Sequence, residues 1–329
     1  MIFTKTLEQS SILLIFIFIG YFLRKKEIIN ESGKKVLAGL LVNLFSPCYA
    51  IANLSETLTI DKVNQYLFYL LTGSALAIVI VFVAIPFAKF LGKDKLEKNI
   101  LKYALAFANI GYFGYPVVGA VFGEAFPGIT GNMILFCIPQ SIIINTYGYQ
   151  ILTEKITDTP NGLVSEMQSN KKKGDWKKHF RFMRSVPFIG TMLGVIIGLL
   201  PFTLPTYITN LLYKAADCQS ATAMLLTGAV LANVPFLKLF TSWKPYLIGF
   251  IRLLVIPLVL GVPMYLLGIR GELFIISMAC ISIPVGMNVV VYPESAGLDS
   301  TVGAKTCFIS YVLVVATLPW VFKLLQILA

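Results

Sequence analysis

Two stretches of this chain place proline, glycine and a lone asparagine in the middle of an apolar segment. They are Ala108-Asn109-Ile110-Gly111-Tyr112-Phe113-Gly114-Tyr115-Pro116 and Ser282-Ile283-Pro284-Val285-Gly286-Met287-Asn288. A proline inside a helix removes one backbone donor and displaces the carbonyl four residues earlier, here those of Tyr112 and Cys280. In hydrocarbon, freed backbone groups are tolerated only where they are buried in protein or line a wet cavity. Two broken helices in corresponding positions of two halves point to a transporter's binding site.

Composition supports hydrocarbon as the solvent. Of the 329 residues, 57% are hydrophobic and only 13% are charged, against about 25% charged in an ordinary globular domain. At roughly 20 apolar residues per span, the chain has room for about ten helices in one membrane domain. The apolar segments fall at 1–23, 36–54, 65–90, 99–123 and 129–152, then at 185–204, 221–240, 245–267, 273–292 and 302–327. Lys5 and the apolar core after it imitate a signal peptide, but Arg24-Lys25-Lys26 closes the segment as a stop-transfer signal does, so it reads as the first span. Pro160-Asn161-Gly162 and Lys171-Lys172-Lys173 mark the middle of the chain as a solvated linker. The expected fold is therefore all-α and polytopic, with one five-helix repeat at 1–153, a cytoplasmic basic linker at 154–184 and a second five-helix repeat at 185–329.

Cytoplasmic loops hold the excess of Lys and Arg. The connections at 24–35, 89–102, 155–184 and 238–244 carry 20 basic residues, whereas the opposite set carries four, Lys5, Lys62, Lys214 and Arg270. Both termini are expected outside the cell membrane. With an odd number of spans per half, the second half enters from the opposite side and the two halves form an inverted repeat. A faint echo agrees: Glu124-Ala125-Phe126-Pro127-Gly128 follows the first break and Glu294-Ser295-Ala296-Gly297 follows the second.

The five cysteines are scattered without a CxxC pair, and the single histidine, His179, lies in the lysine-rich loop. Neither a disulfide framework, a zinc site, another cofactor nor hydrolytic chemistry is indicated. The net charge of +11 belongs to loops at one membrane face, where it sets orientation and meets anionic lipid rather than nucleic acid.

The chain resembles the auxin efflux carrier family of membrane transporters, which includes the plant PIN proteins and bacterial organic-acid carriers. The resemblance rests on Gly20-Tyr21-Phe22-Leu23-Arg24-Lys25-Lys26, on Asn109 to Pro116, on Val186-Pro187-Phe188-Ile189, on Leu226-Thr227-Gly228-Ala229-Val230-Leu231-Ala232, on Pro284 to Asn288 and on Thr317-Leu318-Pro319. It covers the chain apart from the central loop. It implies ten spans in two inverted five-helix repeats, with spans four and nine broken and crossing near the midplane. It also implies a scaffold of spans one, two, six and seven, often dimeric, so that a homodimer is an expected state, and elevator-like movement of the remaining spans. Carried over, Pro116 and Pro284 mark the crossing, and Asn109 and Asn288 flank the substrate. The short central loop departs from the plant members, so auxin itself is not implied.

The physics of such a site can be stated independently. Each break exposes unpaired N–H groups at a new helix N-terminus, which together with the helix dipole attract an anion. The amides of Asn109 and Asn288 orient a carboxylate without adding charge; the alternative is that each only caps its own break. Gly111, Tyr112 and Gly286 complete the candidate site, with Asn43 and Asn233 either lining its scaffold side or serving as interhelical hydrogen bonds. Tyr112, Phe113 and Tyr115 either stack on an aromatic substrate or pack between helices, and Gln140, Ser141 and Asn145 carry the same ambiguity as the scaffold asparagines. Arg252 and Lys305 either attract the anion, or snorkel or pair structurally. Glu124 and Glu294 read as solvated span ends.

No ionised residue lies between Phe107 and Gly123 or between Leu273 and Pro293, whereas coupled pumps usually hold an acid at such depth. The expected function is export of a small organic anion, auxin-like or a mono- or dicarboxylate, driven by membrane potential. The alternatives are a sodium- or proton-coupled symporter of the bile-acid type and, from another class, a membrane sensor. An enzyme is not expected.

Overall fold

The computed structural model describes residues 2–153, 186–201, 203–295, 298 and 300–328. The linker expected at 154–184 lies outside them. The described residues form helices, and the one β-type pairing is an isolated antiparallel bridge between Ala108 and Val285.

In chain order the helices are α1 (Ile2–Lys25), α2 (Glu31–Thr57), α3 (Val63–Leu91), α4 (Lys95–Ala106), α5 (Ile110–Phe122) and α6 (Ile129–Ile143, extended by short turns to Thr153). After the linker come α7 (Val186–Leu199), α8 (Thr206–Leu231), α9 (Trp243–Leu266), α10 (Gly271–Ser282), α11 (Asn288–Ser295) and α12 (Thr301–Leu328). Helices α1, α2, α9, α12 and the stretch Ile60–Leu91 that contains α3 are each long and apolar enough to cross a membrane.

Local chemistry accounts for several boundaries. Arg24 and Lys25 close α1 where its dipole favours cations. Asn30 caps α2 by accepting from the Gly33 N–H at 2.7 Å, and Asp94 caps α4 by accepting from the Glu97 N–H at 2.8 Å. The Glu97 carboxylate in turn accepts the Lys93 N–H, a capping box one residue displaced. Helix α8 begins fifteen residues before the expected span and ends nine before it. Its N-terminal part carries Asn210, Lys214, Asp217 and Gln219, whose polarity hides the helix from a hydropathy reading, and the chain leaves it through Pro235 into a 3-10 turn.

Three prolines inside apolar segments are accommodated by the same device. Pro47, Pro116 and Pro257 each follow a wide π-type turn, at Leu41–Phe45, Ile110–Gly114 and Ile251–Val255. In each turn the N–H just before the proline bonds to the carbonyl five residues back: Ser46 to Leu41, Tyr115 to Ile110 and Ile256 to Ile251. The wider turn relieves the clash between the proline ring and the preceding carbonyl. Pro116 thus stands in the first turn of the regular helix after its π turn and does not mark the break. The break lies earlier, at Phe107 to Asn109.

Helix pairing is organised around close approaches. Helix α1 packs on α8 and α2 on α7, while α3 packs on α4 and α6, and α9 on α10 and α12. Between α1 and α8 the backbones touch at Gly20 and Gly228: a Cβ at Gly228 would overlap the Ile17 carbonyl oxygen, and one at Gly20 the Leu225 carbonyl oxygen. Small residues at such crossings allow dispersion contact between helices that no hydrophobic effect drives together in lipid. At the α10 N-terminus, the Glu272 carboxylate accepts from the Asn132 amide at 2.8 Å and the Tyr69 hydroxyl at 3.0 Å, joining α3, α6 and α10.

Candidate functional site

The two breaks meet. Asn109 donates its N–H to the Pro284 carbonyl at 2.9 Å, and Gly286 donates to the Phe107 carbonyl at 3.2 Å, so the extended segments between α4 and α5 and between α10 and α11 form a two-bond ladder. The Val285 N–H, on the other edge, is taken by the Ser310 hydroxyl at 3.1 Å. Gly286 suits this close approach, since a Cβ there would press on the Ala108 carbonyl oxygen at 3.3 Å.

This pairing spends some backbone donors and leaves others. In α5, the N–H groups of Phe113 and Gly114 return to the Asn109 carbonyl, and that of Tyr112 to the Asn109 Oδ1. In α11, those of Val289, Val290 and Val291 return to Gly286 and Met287. Among the described residues, the N–H groups of Ile110, Gly111, Met287 and Asn288 have no acceptor. All four residues line one cavity of about 730 Å³. A helix N-terminus with unclaimed N–H groups attracts negative charge, and here two such ends face one space.

The cavity wall is mainly apolar, interspersed with tyrosines and neutral polar groups. Tyr49 and Tyr115 stack with ring centres 5.9 Å apart, and Tyr103, Tyr112 and Tyr292 also line it. Its charged lining consists of Glu31, Lys34 and Lys35 at the start of α2, with Lys34 paired to Glu31 at 2.9 Å. The cavity therefore leads from this polar end of α2 to the paired breaks.

The sequence candidates divide. Asn109, Gly111, Tyr112, Gly286 and Asn288 are brought together on the cavity wall. Asn109 caps α5 and also donates from Nδ2 to the Tyr311 hydroxyl, so capping and lining coincide. Asn288 donates to the Tyr292 hydroxyl at 3.1 Å, and the Tyr103 hydroxyl engages the same amide. Pro284 takes part in the ladder without lining the cavity, and Pro116 does neither. Asn43 is exposed and bonds the Gly39 carbonyl of its own helix at 2.9 Å. Asn233 is exposed in the turn after α8. Phe113 is buried edge-on against Tyr311, 5.8 Å away, rather than in the cavity.

Gln219 was not a candidate, because the expected seventh span began after it. It is buried, lines the cavity and donates from Nε2 to the Gly111 carbonyl at 2.9 Å. That carbonyl can only accept, so the orientation of the Gln219 amide is fixed. For Arg252 the structural-pairing alternative holds. It does not snorkel; it is fully buried and donates to the carbonyls of Leu105 and Cys280.

Residues 6–322 match the family model described as membrane transport protein. The chain belongs to this family, that of the auxin efflux carriers. A relative from Methanothermobacter thermautotrophicus, named as an uncharacterized transporter, is 23% identical over 322 residues, which cover 97% of this chain and 98% of that protein. A membrane transport protein of this family works within a bilayer on a small-molecule substrate.

Proposed function

We propose that this chain exports a small organic anion, a mono- or dicarboxylate or an auxin-like aromatic acid, by elevator-type alternating access driven by the membrane potential. The observation that carries this reading is the meeting of four unclaimed N–H groups, from Ile110, Gly111, Met287 and Asn288, in a cavity whose inner wall holds no ionised side chain. Such a wall favours negative charge without supplying a competing carboxylate or a fixed cation at the ligand. The five tyrosines suit a ligand with an apolar or aromatic body.

The packing pattern supports ten spans in two inverted repeats. Exchanging α1 with α7, α2 with α8, α3 with α9 and so on converts three closely packed helix pairs into others, α1–α8 into α7–α2, α3–α6 into α9–α12 and α3–α4 into α9–α10, whereas the α1–α12 pair has no comparable α7–α6 counterpart among the described residues. With the basic loops inside, the cavity end at Lys34 and Lys35 faces the cytoplasm, as loading for export requires. An anion leaving a cell that is negative inside gains about 2.3 kcal/mol per charge per 100 mV.

The test is thermal stabilisation of the purified protein across a panel of acetate, pyruvate, malate, succinate and indole-3-acetate. At least one acid is expected to raise the melting temperature of the wild type. Its apparent affinity should fall about tenfold in Asn288→Ala, the loss expected for one hydrogen bond to a charged group. Equal stabilisation of wild type, Asn109→Ala and Asn288→Ala would remove both asparagines from the site.

A further inference from the structure

Arg252 sits in the π turn of α9, fully buried, and no Asp or Glu pairs with it among the described residues. Its partners are two backbone carbonyls, one at the C-terminal end of each helix that precedes a break. Nη1 donates to Leu105, in the last turn of α4, and Nη2 to Cys280, in the last turn of α10, at 3.4 Å. Both carbonyls lack their helical donor for a traceable reason. In a continuous helix Cys280 would accept from residue 284, which is proline and has no N–H. Leu105 would accept from Asn109, whose N–H is committed to the Pro284 carbonyl. One proline thus orphans both carbonyls, the first directly and the second through the ladder.

The charges match as well as the bonds. Each helix C-terminus carries about half a negative charge, so two of them together balance one guanidinium, which stays protonated. The first half offers no counterpart: α3 holds no charged residue between Lys62 and Lys89. A single cation therefore serves both breaks.

We propose that Arg252 is the positioning residue that discharges the two helix C-termini behind the ladder, so that the cavity faces the positive helix ends alone and selects anions. It does not touch the ligand. Without it, two half-charges of the wrong sign would stand one peptide ladder away from the ligand and offset the N-termini of α5 and α11. The consequence for carboxylate affinity rests on the function proposed above, but the potential itself can be read without any substrate.

The reporter is Gly111→Cys in the full-length protein, since a Cβ at Gly111 meets nothing within 4 Å and the residue lines the cavity at the α5 N-terminus. The rate of its alkylation by iodoacetamide, followed by peptide mass so that native cysteines remain in place, gives the thiol pKa from its pH dependence. In the Arg252 background the pKa should lie below the ordinary value of about 8.5. Adding Arg252→Gln should raise it by about one unit, slowing alkylation at pH 7 about tenfold; Arg252→Lys should restore most of the rate. Arg252→Met, similar in volume and uncharged, is the second neutral variant should the glutamine variant not fold. An unchanged thiol pKa in a folded neutral variant, or equal shifts for Lys and Gln, would overturn the proposal. If the pKa shifts as stated but no acid of the panel binds wild type, the carboxylate reading fails while the role of Arg252 stands.

Discussion

Asn109 and Asn288 look equivalent as residues but do different physical jobs. Asn109 caps α5 through the Tyr112 N–H and bonds the Tyr311 hydroxyl, and it is 5% exposed. Asn288 is half-buried and bonds tyrosines on the cavity wall. Without ligand, Asn109→Ala is therefore expected to destabilise the protein by about 1–3 kcal/mol, from a lost cap and an orphaned buried hydroxyl. Asn288→Ala should cost less than about 1 kcal/mol, because water in the cavity can replace its bonds. Melting temperatures of the two variants in one detergent check this; equal losses would contradict it. These two asparagines were legible in the sequence because a lone amide in an apolar run has few other uses. Asn43 and Asn233 carried the same signal and ended at exposed positions, Asn43 bonded within its own helix and Asn233 in a turn, since an amide that faces away from the cavity looks no different in one dimension.

At the scale of elements, proline was easier to notice than to place. Pro47, Pro116 and Pro257 are absorbed by π turns, whereas Pro284 holds a break; what separates them is the partner segment, which no local pattern contains. Gln219 and the start of α8 were hidden for a related reason, because a helix that faces other protein need not be apolar along its whole length. The glycines of the family motifs have a direct element-scale meaning in the α1–α8 contact. Gly228→Leu should force these backbones apart and cost about 2–3 kcal/mol, read as a lower melting temperature. Gly111→Ala, where the added Cβ has open space, should be neutral or slightly stabilising. Comparable losses from both would show that the α1–α8 approach is not what Gly228 provides.

For the whole molecule, hydropathy and loop charge were enough to read an all-helical membrane protein, because both follow from the solvent, and proline, glycine and asparagine inside apolar runs marked its two breaks. The meeting of those breaks across more than 170 residues, and the single arginine that serves both, follow from topology and needed coordinates. The account's central claim is that a neutral wall of helix N-termini carries an anion down the membrane potential. Its most direct test is flux of the acid that stabilises the protein, measured in proteoliposomes with a potassium-diffusion potential and no sodium or proton gradient. Negative charge is expected to leave the negative compartment, with flux rising as the potential rises and persisting in sodium-free buffer at equal pH on both sides. Flux that appears only when a sodium or proton gradient is added, whatever the potential, would contradict it.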